Sequence, residues 1–282
     1  LCWLYKEGIL MCKILCSTGA LIGLPNNRNY KLLKPLSKEL LCDGFEFMMY
    51  SSWYDKTDEI TGFLQDTGLY TPVMHCEKHI GEAISKNETD EALCLFKINC
   101  NMAQEINASK LVIHLWDGIT SDQNFQNNLR LYKELEEISN SYGLCLLVEN
   151  VVCNAGNPMK HWLELAECYP GINFVFDTKM AAFHQQLELL YSEEYKWLWQ
   201  DGHIKHYHIN DYSGGYMEWK KLRSLPLGAG NIDFKKFFSF IHKVKYNDTF
   251  TIEATAFNQN GEIDTDMLNR CFENIRHYLK EI

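Results

Sequence analysis

Short apolar runs recur along the chain at near-regular intervals. They cover residues 12–17, 44–49, 71–75, 110–115, 144–149, 172–177, 204–209 and 248–253, and their starts lie 27 to 44 residues apart. Runs such as Leu-Cys-Leu-Leu-Val and Ile-Asn-Phe-Val-Phe are apolar almost throughout. Strands buried on both faces have this character, which predicts a parallel sheet covered by helices. Between the runs the pattern changes to a helical period. Asp55-Lys-Thr-Asp-Glu-Ile opens one such segment, with Asp55 as the expected N-cap and acids in the first turn. Residues 121–142 place Phe125, Leu129, Tyr132 and Leu135 on one stripe and stop at Gly143. Residues 264–280 keep Met267, Leu268, Cys271, Ile275 and Leu279 in register.

No linker or low-complexity tract divides the chain. Eight strand-then-helix repeats of about 34 residues predict an α/β fold, a single (β/α)8 TIM barrel. An open doubly wound sheet would carry a Gly-rich phosphate turn after an early strand, and Cys16-Ser-Thr-Gly19-Ala lacks that spacing. Residues 1–10 precede Met11 and are expected to be an added or upstream extension, with residues 11–282 forming the barrel. Lys6, Glu7 and Gly8 interrupt that extension too often for a signal peptide.

Composition narrows the classes. With 27 basic and 37 acidic side chains the formal charge is −10, which opposes general nucleic-acid binding. A hydrophobic fraction of 46% and a charged fraction of 23% rule out disorder. No apolar run approaches the roughly 18 residues of a membrane span, so no membrane association is expected. None of the eleven cysteines forms a Cys-x-x-Cys pair, which argues against a zinc ribbon or thioredoxin-type site. Cys94 and Cys145 sit in apolar runs and read as small buried core residues. Free thiols in a reducing cytoplasm are the expected state.

Chemistry collects at the ends of the predicted strands. The third ends in His75, the fourth in His114, the fifth in Glu149 and the sixth in Asp177. The seventh carries His208 and then Asp211, and the eighth ends in Glu253. A barrel does its chemistry at these C-terminal strand ends. Carboxylates and imidazoles converging there would repel or be desolvated without a cation among them. Glu149, Asp177, His208 and Glu253 make an oxygen-rich ligand set with one nitrogen. Such a set suits one divalent ion, Mn²⁺, Mg²⁺ or Co²⁺ in preference, with Zn²⁺ as the alternative.

The same residues carry a resemblance. Val148-Glu149-Asn150, Phe176-Asp177-Thr178, His206-Tyr-His208-Ile-Asn210-Asp211, Leu227-Gly228-Ala-Gly230-Asn231-Ile-Asp233 and Thr251-Ile-Glu253 stand in order on successive predicted strands. From Lys13 onward the chain resembles the xylose isomerase-like TIM-barrel superfamily. That group holds sugar and sugar-phosphate isomerases and epimerases, inosose dehydratase and endonuclease IV. The isomerase and epimerase branches imply Glu149, Asp177, His208 and Glu253 as metal ligands, with Glu149 and Glu253 doubling as the acid/base pair. They imply proton transfer through an enediolate of a small sugar, sugar phosphate or related polyol. Endonuclease IV implies a fuller ligand set, which His75 and His114 would join, but its pattern fails at Met180, Leu222 and Ser224. Ketose 3-epimerases place a histidine where Met180 stands and an arginine soon after the seventh strand, which leaves Arg223 or His184 as substitutes. A barrel that binds sugar without turnover is the third reading.

Other residues complete the candidate site. His75 and His114 are candidates for hydrogen bonds to sugar hydroxyls, Trp116 for stacking on a sugar face, Glu46 for orienting a hydroxyl or lining the barrel, and Arg223 for binding substrate. Asp211 reads as a supporting partner or a cap. Gly228 to Asn231 read first as a turn before a helix starting near Asp233, and second as a phosphate nest. Lys179 reads as a solvated lysine or as a contact to an anionic substrate group. The expected partner is a small sugar-like molecule, and a homo-oligomer stays open.

Overall fold

The computed structural model describes residues 12–118 and 121–280; the expected extension, residues 1–10, and Met11 lie outside the described residues. Every apolar run anticipated as a strand contains one. They are β1 (Lys13–Ser17), β2 (Gly44–Met48), β3 (Val73–His75), β4 (Lys110–Ile113), β5 (Cys145–Glu149), β6 (Asn173–Asp177), β7 (Ile204–Ile209) and β8 (Thr249–Ile252). They pair in parallel in chain order, and β1 closes onto β8 to give an eight-stranded barrel. The predicted (β/α)8 barrel is the observed fold, and closure leaves no strand edge open.

The connections hold α1 (Leu33–Leu36), α2 (Thr57–Thr67), α3 (His79–Ser85), α4 (Thr89–Glu105), α5 (Phe125–Ser141), α6 (Pro158–Cys168), α7 (Thr178–Phe183), α8 (Trp197–Gln200), α9 (Phe234–Lys243) and α10 (Thr265–Lys280). Three local expectations are corrected. Asp55 is not an N-cap; it lies in a 3-10 turn, Ser51–Lys56, and only Asp58 and Glu59 stand in the first turn of α2. The helix expected from residue 121 starts as a 3-10 turn, Ser121–Asn124, before α5. Cys94 is exposed on α4 and Cys145 only half-buried, because an apolar neighbourhood in sequence does not fix which side of an element a residue takes. Among the described residues no helix is long and apolar enough to cross a membrane.

The apolar residues separate into two cores. The larger joins helices to the outside of the sheet, where Trp162 of α6 stacks on Phe174 of β6 at 4.3 Å. The smaller comprises Leu15, Val73, Val112, Leu147 and Val175, the inward residues of β1 and β3 to β6. Removing a fully buried leucine side chain costs about 2–5 kcal/mol, so Leu147, wholly buried, matters to closure. Side chains alternate across a strand. Two residues beyond these inward positions come Ser17, His75, His114, Glu149 and Asp177, which therefore turn toward the barrel mouth.

β7 reaches the same face by an irregularity. Phe174 pairs with Ile204 and Val175 with His206, so Lys205 is a surplus residue in a bulge. Ile204 belongs to the outer core, and after the bulge His206 and His208 face inward beside Val175 and Asp177. The freed Lys205 carbonyl accepts from Lys110 Nζ at 2.8 Å. At the mouth, Gly81 of α3 lies against the His114 carbonyl, where a Cβ would collide with backbone. That close approach seats α3 on the end of β4.

Candidate functional site

Glu149 ends β5, Asp177 ends β6, His208 lies in β7 and Glu253 follows β8. One ligand atom from each lies within 4.8 Å of those of the other three. Asparagines tie the strand ends together. The Asp177 amide donates to Asn150 Oδ1 at 2.6 Å, and Asn150 Nδ2 donates back to the Asp177 carbonyl at 3.1 Å. Asp177 Oδ1 caps α7 by accepting from the Met180 amide at 2.7 Å. Asn210 Nδ2 bridges Asp177 Oδ2 and Glu253 Oε2, both at 3.0 Å. Thr178 Oγ1 in turn holds the Asn210 carbonyl at 2.7 Å.

His208 is fixed from both sides. Its Nδ1 stands 3.1 Å from Glu149 Oε1 and 3.6 Å from Glu253 Oε1. Its Nε2 stands 3.1 Å from Glu46 Oε1. Glu46 also meets His206 Nε2 at 2.9 Å, and His206 reaches Thr249 Oγ1 at 2.6 Å and Thr251 Oγ1 at 2.9 Å. Glu46 is 0% exposed. It therefore sits below the mouth as a partner of the inner histidines, which matches the expectation that it lines the barrel and corrects the one that it orients a substrate hydroxyl. A carboxylate on the far nitrogen fixes tautomer and ring orientation and leaves the near nitrogen free to ligate.

The electrostatics favour a cation. Burial pushes the Asp177 carboxyl up to about 7; Lys179 pulls it back, while Glu149 and Glu253 add to the rise. Burial also pushes on Glu149, but the His208 and His114 rings override it and hold that carboxyl well below its usual range. Three carboxylates meeting at under 5 Å with little solvent make a poor arrangement for protein charges alone. One imidazole and three carboxylates match the donor preference of a hard or borderline divalent ion, so the residues present fit the metal that the sequence implies.

Above the four residues, Glu149 Oε2 meets His75 Nε2 at 3.3 Å and His114 Nε2 at 2.9 Å. His114 and Glu253 keep 16% and 12% of their side chains exposed, whereas Glu149 keeps 1%. Solvent thus reaches the centre past His114 and Glu253. A cavity of about 180 Å³ opens beside His75 and His114, between Met48 and Lys78. That is below the roughly 300–1,000 Å³ of pockets for drug-sized molecules and suits a small ligand. A larger hollow of about 370 Å³ lies between α2 and α4, on the outside of the barrel and away from these groups.

The remaining candidates divide. Trp116 is 0% exposed; its Nε1 donates to the Val151 carbonyl at 3.0 Å, so it packs the loops and offers no face to a sugar. Arg223 is exposed on the segment after β7. His184 is occupied as well, its Nε2 accepting from the Cys153 amide at 2.9 Å. Lys179 is buried, not solvated, with Nζ 3.1 Å from Ser224 Oγ and 3.8 Å from Asp177 Oδ2. Asp211 takes up the amides of the glycine turn: Gly228 and Gly230 donate to Oδ2 at 2.9 Å each and Ile232 to Oδ1 at 3.1 Å. These amides have protein partners, which favours the turn reading over a phosphate nest. Sequence reasoning missed Asn150, Asn210 and His206 as positioning groups. Each stands one or two residues from a proposed ligand, which is the signal that could have found them.

A family model described as xylose isomerase-like TIM barrel matches residues 36–271. No curated protein matches the sequence. Among solved structures, a xylose isomerase domain protein from Planctomyces limnophilus is similar with a TM-score of 0.66 at 13% identity, over 98% of this chain and 99% of that one. A D-allulose 3-epimerase from Methylomonas sp. gives 0.66 at 15%, over 95% and 98%. A 3-keto-D-glucoside 4-epimerase from E. coli gives 0.65 at 15%, over 94% and 99%. At such identities the likeness is one of fold.

Proposed function

Since the chain belongs to the xylose isomerase-like TIM-barrel family, we propose that it is a metal-dependent isomerase or epimerase of a small sugar, sugar phosphate or related polyol. The observation that carries this reading is the convergence of Glu149, Asp177, His208 and Glu253 within 4.8 Å at the barrel mouth. The similarity in fold to sugar epimerases supports it as analogy.

Glu149, Asp177, His208 and Glu253 would hold one divalent ion, with Mn²⁺, Mg²⁺ or Co²⁺ preferred. When bound, that ion supplies the Lewis acidity that polarises a substrate carbonyl. Glu149 and Glu253 come from strands separated by β6 and β7, so they approach the centre from different directions. One removes the proton from the carbon next to the carbonyl, and the other returns a proton to the resulting enediolate. Glu253, the more exposed, has the freer carboxylate. Glu149 is the more constrained, sharing Oε2 with His75 and His114. His114, partly exposed beside the cavity, would meet a substrate hydroxyl, whereas buried His75, with Nδ1 on the Cys76 carbonyl at 2.8 Å and Nε2 on Glu149, would brace that carboxylate. Glu46 holds His208, and Asn210 holds Asp177 and Glu253.

A panel of ketoses, aldoses and inososes with Mn²⁺, read by deuterium uptake from solvent, tests this. Exchange of no carbon-bound proton across the panel would count against it. One observation favours a second reading, a nuclease of the endonuclease IV type: His75, His114 and Glu149 also form a metal-capable group. Against it stand Met180 and Leu222, which cannot ligate, and Ser224, whose hydroxyl is engaged by Lys179.

A further inference from the structure

Asp122, Cys153 and His161 form a second cluster, outside the four-residue centre. Asp122 lies in the 3-10 turn before α5, Cys153 in the loop after β5 and His161 on α6. They are 4%, 0% and 7% exposed. One ligand atom from each lies within 4.8 Å of those of the other two.

The hydrogen bonding within the cluster is one-sided. Asp122 Oδ2 accepts three amides, from Asn154 at 3.1 Å, Ala155 at 2.7 Å and Gly156 at 2.6 Å. Asp122 Oδ1, also buried, has no partner among the described residues, and neither has Nδ1 or Nε2 of His161. The His161 ring is instead held by packing, stacked on Phe125 at 3.7 Å and edge-on to Trp116 at 5.1 Å. The Cys153 amide donates to His184 Nε2 at 2.9 Å, and its thiol meets the Val151 carbonyl at 3.8 Å and the Trp116 side chain. Buried polar atoms are almost always satisfied, and a carboxylate oxygen and an imidazole left bare side by side call for an occupant. The carboxylate is braced through one oxygen and free at the other, and the ring is braced by its faces and free at its nitrogens. Metal ligands are commonly held this way by the groups around them.

We propose that Asp122 Oδ1, Cys153 Sγ and a ring nitrogen of His161 bind a transition-metal ion, Zn²⁺ by preference, with water completing a tetrahedral site. A thiolate, imidazole and carboxylate set selects Zn²⁺ or Co²⁺ over Mg²⁺ and Mn²⁺, whereas the oxygen-rich set at the barrel mouth suits Mg²⁺ and Mn²⁺ as well. Binding breaks the Cys153 S–H bond heterolytically, forms the metal–sulfur bond and releases the proton to solvent, with no change of oxidation state. The ion joins the loops after β4 and β5 to α6, and so braces the segment that follows Glu149 and Asn150.

Cobalt provides the test. Metal-free protein loaded with Co²⁺ acquires a sulfur-to-cobalt charge-transfer band in the near ultraviolet, which oxygen and nitrogen ligands alone cannot give. The band is expected in the wild-type protein and in Asp177→Ala. It is expected to vanish in Cys153→Ser together with one bound Co²⁺ per chain. Asp122→Asn, which keeps an oxygen for the three amides, should weaken Co²⁺ at this site at least tenfold. Should Cys153→Ser fail to fold, Asp122→Asn and the lowering of the Tm of Asp177→Ala on chelation of Zn²⁺ carry the test. Absence of the band in wild-type protein under excess Co²⁺, as an ordered water in the site would give, overturns the proposal. So does a band that survives Cys153→Ser, or Co²⁺ affinity unchanged in Asp122→Asn.

Discussion

Glu46 Oε1 lies 3.1 Å from His208 Nε2, and on the other side of the same ring Nδ1 lies 3.1 Å from Glu149 Oε1. The inner carboxylate thus aims the imidazole at the outer one. Glu46→Gln keeps the shape and an accepting oxygen but removes the charge. Its expected effect is a loss of about 10- to 100-fold in metal affinity, read by titrating Mn²⁺ and following the free ion by paramagnetic resonance. Unchanged affinity would detach Glu46 from the centre.

Asp177, a proposed ligand, lies close enough to Glu149 and Glu253 for both to push its carboxyl up. Mn²⁺ avoids thiolates, so it should load the barrel mouth alone, at about one ion per chain. Asp177→Ala should abolish that binding, because the set then lacks its third carboxylate. Equilibrium dialysis with Mn²⁺ decides it; retention of the ion would place the site elsewhere.

Glu149 and Glu253 are expected to differ from simple ligands. A glutamine amide oxygen can still coordinate but cannot accept a proton from carbon. Glu149→Gln and Glu253→Gln should each lower the rate by about 10²–10⁴-fold, a barrier of roughly 3–5 kcal/mol, with no rescue by excess metal. For an epimerase, each variant should lose solvent exchange from one epimer only, measured as deuterium incorporation by NMR with metal saturating. Full rescue of both variants would move the proton chemistry to His75 or His114.

DNA should be a poor ligand. A net charge of −10 opposes the counter-ion-releasing phosphate contacts on which binding to duplex depends. Neither salt-dependent binding to duplex nor zinc-dependent nicking at an abasic site is expected. A gel assay that shows nicking at stoichiometric protein would favour the nuclease reading.

His184 links stability to pH. Its Nε2 accepts from the Cys153 amide, so that nitrogen carries no proton, and burial, partly opposed by Asp122, lowers its pKa to about 4. The unfolded chain takes up this proton below about pH 6.5. Between about pH 6.5 and 4 the unfolded state therefore holds more protons, and stability falls as the pH falls. Above that window the full contribution is present. His184→Gln, which keeps an acceptor, should flatten the acid limb of a plot of Tm against pH; an unchanged limb would show that other groups set it.

The barrel was legible because each strand is an apolar run that stops at a polar residue, and closure of the sheet brings those stops together. That ground marks His75, His114, Glu149, Asp177 and Glu253 as residues of the mouth, while donor type and the family resemblance are what select Glu149, Asp177, His208 and Glu253 as a ligand set. The position of Glu46 could not be read in this way, since it depends on β7. Strict alternation from Ile204 would put His206 and His208 outside with it, and only the surplus Lys205 turns them in toward Glu46. Trp116 follows a strand end just as a substrate-facing aromatic would, but its loop folds back onto Val151 and buries the ring. The Asp122, Cys153 and His161 cluster draws on three separate segments, and no spacing within one segment announces it.

The framework around the four-residue centre is itself largely uncharged. Asn150, Asn210 and Thr178 tie Asp177 and Glu253 to their neighbours through amides and a hydroxyl, all buried. Such bonds do not titrate in the physiological range, and dissolved ions do not screen them as they screen exposed charge pairs. The entropy of arranging these carboxylates is therefore lost once, when the chain folds, and not again at each arrival of a cation. On the proposed metal reading the mouth of the barrel would act as a mould already set, in which one ion could exchange for another without recasting the shape.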